Sequence, residues 1–131
     1  MADVANTVIA PDGAGIRIRV RDVQVATARV MGVPVQALRQ SYGPHVNERQ
    51  LAMMLSAELT GKGMPDIAVH FACTHSTIIH AVAKVRKRLR LDRDLRLKVD
   101  RICVEATIEA SRFIESMRRA ALPQANTGRS A

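Results

Sequence analysis

Between Asn47 and Leu91 the apolar positions recur with helical spacing, in three runs separated by short breaks. Leu51, Met54, Leu55 and Leu59 fall at i, i+3, i+4 and i+8. That spacing predicts a helix over about 47–60, with Asn47 as N-cap and Gly61 and Gly63 as its stop. Met64, Ile67, Ala68 and Phe71 repeat at i, i+3, i+4 and i+7 and predict a short second helix, with Pro65 and Asp66 in its first turn. Only Ala72 and Cys73 then precede Thr74. Thr74 and Ser76 both suit a helix start, and a long apolar-striped helix follows to about Leu91. Upstream, Asp22 is the expected N-cap of a helix over about 22–31 that carries Val23, Ala26 and Val30 on one face. Gly32 and Pro34 end it, a short helical turn covers 35–39, and SYGPHVNE (41–48) reads as a loop. Downstream, Asp92 and Asp94 mark a break. A last helix over about 94–120 then carries Leu95, Val99, Ile102, Ala106, Ala110, Ile114 and Met117 along one side.

The two ends lack this periodicity. Residues 1–15 hold Pro11, Asp12, Gly13 and Gly15 and little to bury, so a mobile arm is expected. IRIRV (16–20) alternates strictly, as a strand would, yet nothing later in the chain suits it as a partner. The favoured reading is an extended lead-in to the first helix. The other is a basic arm in which Arg17, Arg19 and Arg21 lie along phosphates. The expected organisation is therefore a basic N-terminal arm at 1–20, one helical domain over 21–120, and a polar, disordered tail at 121–131.

Composition favours helices. Of 131 residues 47% are hydrophobic but only 2% aromatic, so the core must be aliphatic, a palette that favours helices. The formal net charge of +8 points to a polyanion partner, most often nucleic acid. Cys73 and Cys103 form no CxxC pair and read as buried thiols. No basic, then apolar, leader opens the chain, and no apolar run approaches the roughly 20 residues of a membrane span, so a cytoplasmic, nucleoid-associated protein with no membrane contact is expected.

Placed on a helix, residues 75–91 separate cleanly. Ile78, Val82, Val85 and Leu89 share a narrow arc with Ala81 at its edge. The opposite arc holds Ser76, His80, Lys84 and Lys87, flanked by Thr77 and Arg88, with His75 at the N-terminal end. A short helix set before a basic one is the order of a helix-turn-helix, so 74–91 is the expected recognition helix. Hydroxyls, a histidine and Lys84 suit base edges, and Lys87, Arg88 and Arg90 suit phosphates. Chemical alternatives fare worse. His75 and His80 lie about 140° apart round a helix and do not converge on a metal, and His70 fails likewise. Cys73 and His75 have no acidic orienting partner nearby in sequence. No phosphate-binding glycine loop is present, so no enzyme activity and no cofactor are expected.

The stretch RQLAMMLSAELTGKGMPDIAVHFACTHSTIIHAVAKV (49–85) resembles the C-terminal DNA-binding domain of the bacterial replication initiator DnaA. The family's motif positions are matched by Arg49-Gln50, Glu58-Leu59-Thr60, Met64-Pro65-Asp66-Ile67, Phe71, His75-Ser76-Thr77-Ile78, His80-Ala81 and Lys84, and 22–38 resembles the preceding helix. The resemblance covers roughly 22–100. It implies a six-helix or similar all-α domain with a Trp-repressor-like helix-turn-helix, and binding of double-stranded DNA at DnaA boxes by full-length members. Carried over by position, it implies that Arg49, Gln50, Thr74, His75, Ser76, Thr77, His80 and Lys84 contact DNA. Three departures stand beside it. The family's ATPase has no counterpart here, so action without ATP-driven assembly is expected. The family's Gly-Gly-Arg-Asp turn is replaced by the shorter Ala72-Cys73-Thr74. Its Arg-rich loop is replaced by QSYGPHVNE, with Arg39 and His45 as the only candidate cations.

Two functions remain open. One is sequence-specific duplex binding, at DnaA-box-like sites, that regulates replication initiation or transcription. The other is a protein-interaction module that binds a replication protein through a Met-rich or C-terminal surface. The last helix likewise leaves two readings. It folds back on the core, or its 95, 99, 102, 106 spacing forms a homodimer seam.

Overall fold

The computed structural model describes residues 7–9, 15–40 and 43–122. Its elements are β1 (Thr7–Ile9), β2 (Gly15–Arg17), α1 (Val20–Met31), a 3-10 turn (Val35–Arg39), α2 (Val46–Leu59), α3 (Met64–His70), α4 (His75–Leu91) and α5 (Arg93–Ala121). The all-α class holds, with a two-stranded antiparallel hairpin as the addition.

That hairpin corrects the reading of the N-terminal residues. IRIRV does find a strand partner, but earlier in the chain: Thr7 pairs with Arg17, Val8 with Ile16 and Ile9 with Gly15. Residues 15–20 are also not a free arm, because Ile16, Ile18 and Val20 are all buried in the domain core. Arg19 turns inward too. Its side chain and backbone N–H both bind Asp22, and its guanidinium carbon lies 3.4 Å from the centroid of the Phe113 ring on α5. Asp22 is therefore not the N-cap but the third residue of α1, 1% exposed, and Arg19 is the cap. Residues 1–6, 10–14 and 123–131 of the expected arm and tail lie outside the described residues.

Helix α2 is the central post. Leu51 to Ser56 are six consecutive buried residues, so this helix is enclosed on all sides rather than striped. Its buried hydroxyls bond within the helix, Ser56 Oγ donating to Ala52 O at 2.8 Å and Thr60 Oγ1 to Ser56 O at 2.7 Å. Its cap is His45 rather than Asn47. Met53 and Met54 are 0% and 3% exposed, which removes the expected Met-rich docking surface.

Helix α5 folds back. Leu95, Ile102, Ala106 and Ala110 are buried, with Val99 and Ile114 half-buried against the same core. The 95, 99, 102, 106 spacing is thus spent inside the chain's own core. Helices α1 and α5 pack against each other, and the small residues Ala26 on α1 and Ala106 and Ala110 on α5 are buried. Arg29 of α1 then clasps Glu105 and Glu109 of α5, each at 3.0 Å. These two carboxylates raise the Arg29 pKa further. Within the described residues no helix is long and apolar enough to cross a membrane.

Candidate nucleic-acid interface

The joint between α3 and α4 is short and fixed from three sides. Phe71, fully buried, ends α3 as its C-cap. The N–H groups of Phe71 and Cys73 both donate to Ala68 O at 3.1 Å, and that of Ala72 donates to Val69 O at 3.3 Å. Ala72 takes a left-handed conformation with φ of 52°. Helix α4 then starts at a real cap: Thr74 Oγ1 accepts from the Thr77 N–H at 3.4 Å, and the two threonine hydroxyls lie 3.2 Å apart.

The terminal carbonyls of α3 lack partners within the helix, as at any helix C-terminus. Two buried side chains from other helices supply them. Gln24 of α1, 1% exposed, donates from Nε2 to His70 O at 3.0 Å. Arg49 of α2, 5% exposed, donates from Nη2 to Phe71 O at 2.7 Å. Adjacent carbonyls are thereby tied to two different helices, which sets the direction in which α4 leaves the turn. Burial pushes the Cys73 thiol up from its ordinary pKa, and the nearby Arg49 guanidinium opposes that shift in part.

Helix α4 divides as its periodicity requires. Ile78, Ala81, Val82 and Val85 are buried, and Leu89 is half-buried. Thr74, His75, Ser76, Thr77, His80, Lys84 and Lys87 are all exposed. No acidic residue occupies the first turn, so the positive end of the helix dipole is uncompensated. Arg86 is engaged by Glu58. Lys84 and Lys87 have no ion-pair partner among the described residues.

Three of the expected contact residues stand apart from this stripe. Arg49 is the clearest correction: a guanidinium turned inward onto Phe71 O offers almost no surface to a partner. Gln50 is half-buried, with its Oε1 enclosed and unpartnered, and Arg88 is half-buried with Nη1 in the same state. Among the described residues no three His, Cys, Asp or Glu side chains come together as a metal site. The sequence reading missed Gln24 altogether. A buried glutamine inside an apolar face was the one available signal. Lys62, which no sequence pattern singled out, lines one open pocket with Arg21, Arg39 and His70 and with Arg19, Gln24 and Ala72.

A short helix, a tight turn and a capped helix presenting a polar, cationic face define a helix-turn-helix protein. The family model of the bacterial DnaA protein helix-turn-helix matches residues 20–85, and the chain belongs to that family. Curated relatives include the chromosomal replication initiator protein DnaA of Streptococcus pyogenes serotype M5 (strain Manfredo), of serotype M1 and of serotype M18 (strain MGAS8232). Each is 30% identical over 88 residues, which span 65% of this chain and 20% of the relative. The match therefore takes in about a fifth of the length of those proteins.

Proposed function

We propose that this chain binds double-stranded DNA with α4 in the major groove, at DnaA-box-like sites, and so regulates replication initiation or transcription. The observation that carries this reading is the exposed polar face from Thr74 to Lys87 on a helix whose opposite face buries Ile78, Ala81, Val82 and Val85. Ser76, Thr77 and His80, with His75 at the end, are short enough to meet base edges. Lys84 extends the set, and Lys87 serves a phosphate, with Arg88 set back beside it. The helix N-terminus, capped by Thr74 but with no acidic residue in its first turn, suits a further phosphate. Arg49 acts by holding the turn, and Gln50 sits behind the contact surface. A gel shift at physiological salt, on duplexes with and without a DnaA box, tests the proposal. Preference for the box supports it, and binding to neither probe overturns it.

A second reading rests on α5. Leu97, Val104 and Ile108 are 52%, 60% and 37% exposed on one side of that helix. Such a surface suits a replication protein as partner, and this is the function to pursue if neither duplex is bound.

A further inference from the structure

A second cationic surface lies beside α4's stripe. The pocket, of about 730 Å³, opens between the start of α1, the end of the 3-10 turn, the α2–α3 connection and the end of α3. Arg21, Arg39, Lys62 and His70 reach it from those four separate segments, and among the described residues no carboxylate lines it. The acid nearest in sequence, Asp22, is 1% exposed and already held by Arg19. Arg21 and Lys62 are exposed and Arg39 is half-exposed, and none of the three has an ion-pair partner among the described residues. Arg39 makes one long hydrogen bond, 3.4 Å to Gln24 Oε1. Like charges gathered round one concavity repel each other until an anion enters, and a concave wall focuses their field on it.

We propose that this pocket grips the sugar-phosphate backbone of the duplex whose groove receives α4, so that Arg21, Lys62 and Arg39 are phosphate contacts. The proposal rests on the duplex-binding reading above. Position selects the ligand. Val69, His70 and Ala72 form the pocket's rim, and Ala72 is two residues before Thr74, so the pocket lies within about 8 Å of the front of α4 along the chain. A helix seated in a groove has a backbone strand on each flank. Each strand carries a phosphate about every 3.4 Å of helix axis, so a duplex placed on α4 brings one or two of them to this pocket.

The test is fluorescence anisotropy of the full chain on a duplex that the unaltered protein binds, titrated with salt. The variant carries Arg21→Gln and Lys62→Gln, both at exposed positions, with a thermal melt to establish that it folds. The salt slope is expected to fall by about two, so the affinity loss between about 50 and 200 mM salt becomes about tenfold smaller. The ranking of duplex sequences stays the same. A neutral methylphosphonate at one or two positions flanking the α4 site weakens the unaltered protein and leaves the variant indifferent. Equal affinity and slope for the two proteins overturn the pocket contact and leave α4 binding intact. A lower slope with an unchanged methylphosphonate pattern also overturns it, because the cations then act from a distance. If the unaltered protein binds no duplex, both proposals fall together.

Discussion

Arg49 donates from Nη2 to the Phe71 carbonyl at 2.7 Å, joining the start of α2 to the turn in front of α4. A residue type expected at the DNA surface thus serves as a strut beneath it. Replacing it leaves a buried carbonyl without its charged donor. Arg49→Met is expected to cost about 1.5–3 kcal/mol in a urea melt. It should weaken binding to every duplex by misplacing α4, with no change in salt slope. A slope lower by one with unchanged stability would instead make Arg49 a direct phosphate contact.

The face of α4 predicts two different signatures. Thr77→Ala or His80→Ala should cost roughly 1–3 kcal/mol on a preferred site and little on unrelated duplexes. Lys87→Ala should weaken binding to all sequences and reduce the salt slope by about one. Competition titrations against site and non-site duplexes separate the two. Equal losses on every sequence for Thr77→Ala would remove it from base reading.

Ala72 stands at φ of 52°, where an L side chain is disfavoured and glycine is not. Ala72→Gly is expected to raise stability by roughly 0.5–1 kcal/mol, after the extra freedom glycine has in the unfolded chain. A higher Tm is the readout. A drop would mean that the Ala72 methyl packs usefully at the pocket rim.

The fold-back of α5 makes Ile102 a core residue, 0% exposed. Ile102→Ala should cost about 2–5 kcal/mol, while Val104→Ser on the outer face should stay within about 0.5 kcal/mol. A Tm independent of protein concentration accompanies a helix packed within its own chain. A Tm that rises with concentration would point to a seam between copies.

Burial, and then the nearby Asp100 carboxylate, push the Cys103 thiol above its ordinary pKa of 9.0. A raised folded-state pKa contributes stability that is present below the unfolded value and is lost as pH rises through the folded one. Stability should therefore decline above about pH 9, and Cys103→Ser should flatten that decline. Alkylation by iodoacetamide at pH 8 should be slower in the folded chain than in urea.

Much of the interface was legible in the sequence because it is built from local relationships. Thr74 caps α4 by bonding three residues ahead, and Ile78, Val82 and Val85 face inward because 3.6 residues make a turn. Those two facts alone expose Ser76, Thr77, His80, Lys84 and Lys87. Helix ends were read less well. Asp22 and Asn47 look like N-caps, yet Arg19 and His45 hold those positions. A cap depends on where the chain enters the helix, and here the buried Ile18 and Val20 set that entry for α1.

The sequence by itself determined the helices, their order, the short turn and the polar side of α4, since each follows from spacing within a few residues. The tertiary structure alone decided what crosses long stretches of chain. Gln24 and Arg49 meet carbonyls 46 and 22 residues away, and Arg29 meets carboxylates 76 and 80 residues away. No periodicity encodes such pairings. They arise because a buried carbonyl must find a donor and a buried stripe must find a neighbour. The same constraint turned the 95, 99, 102, 106 stripe toward its own core, and it gathered Arg21, Arg39, Lys62 and His70 from four segments beside one turn.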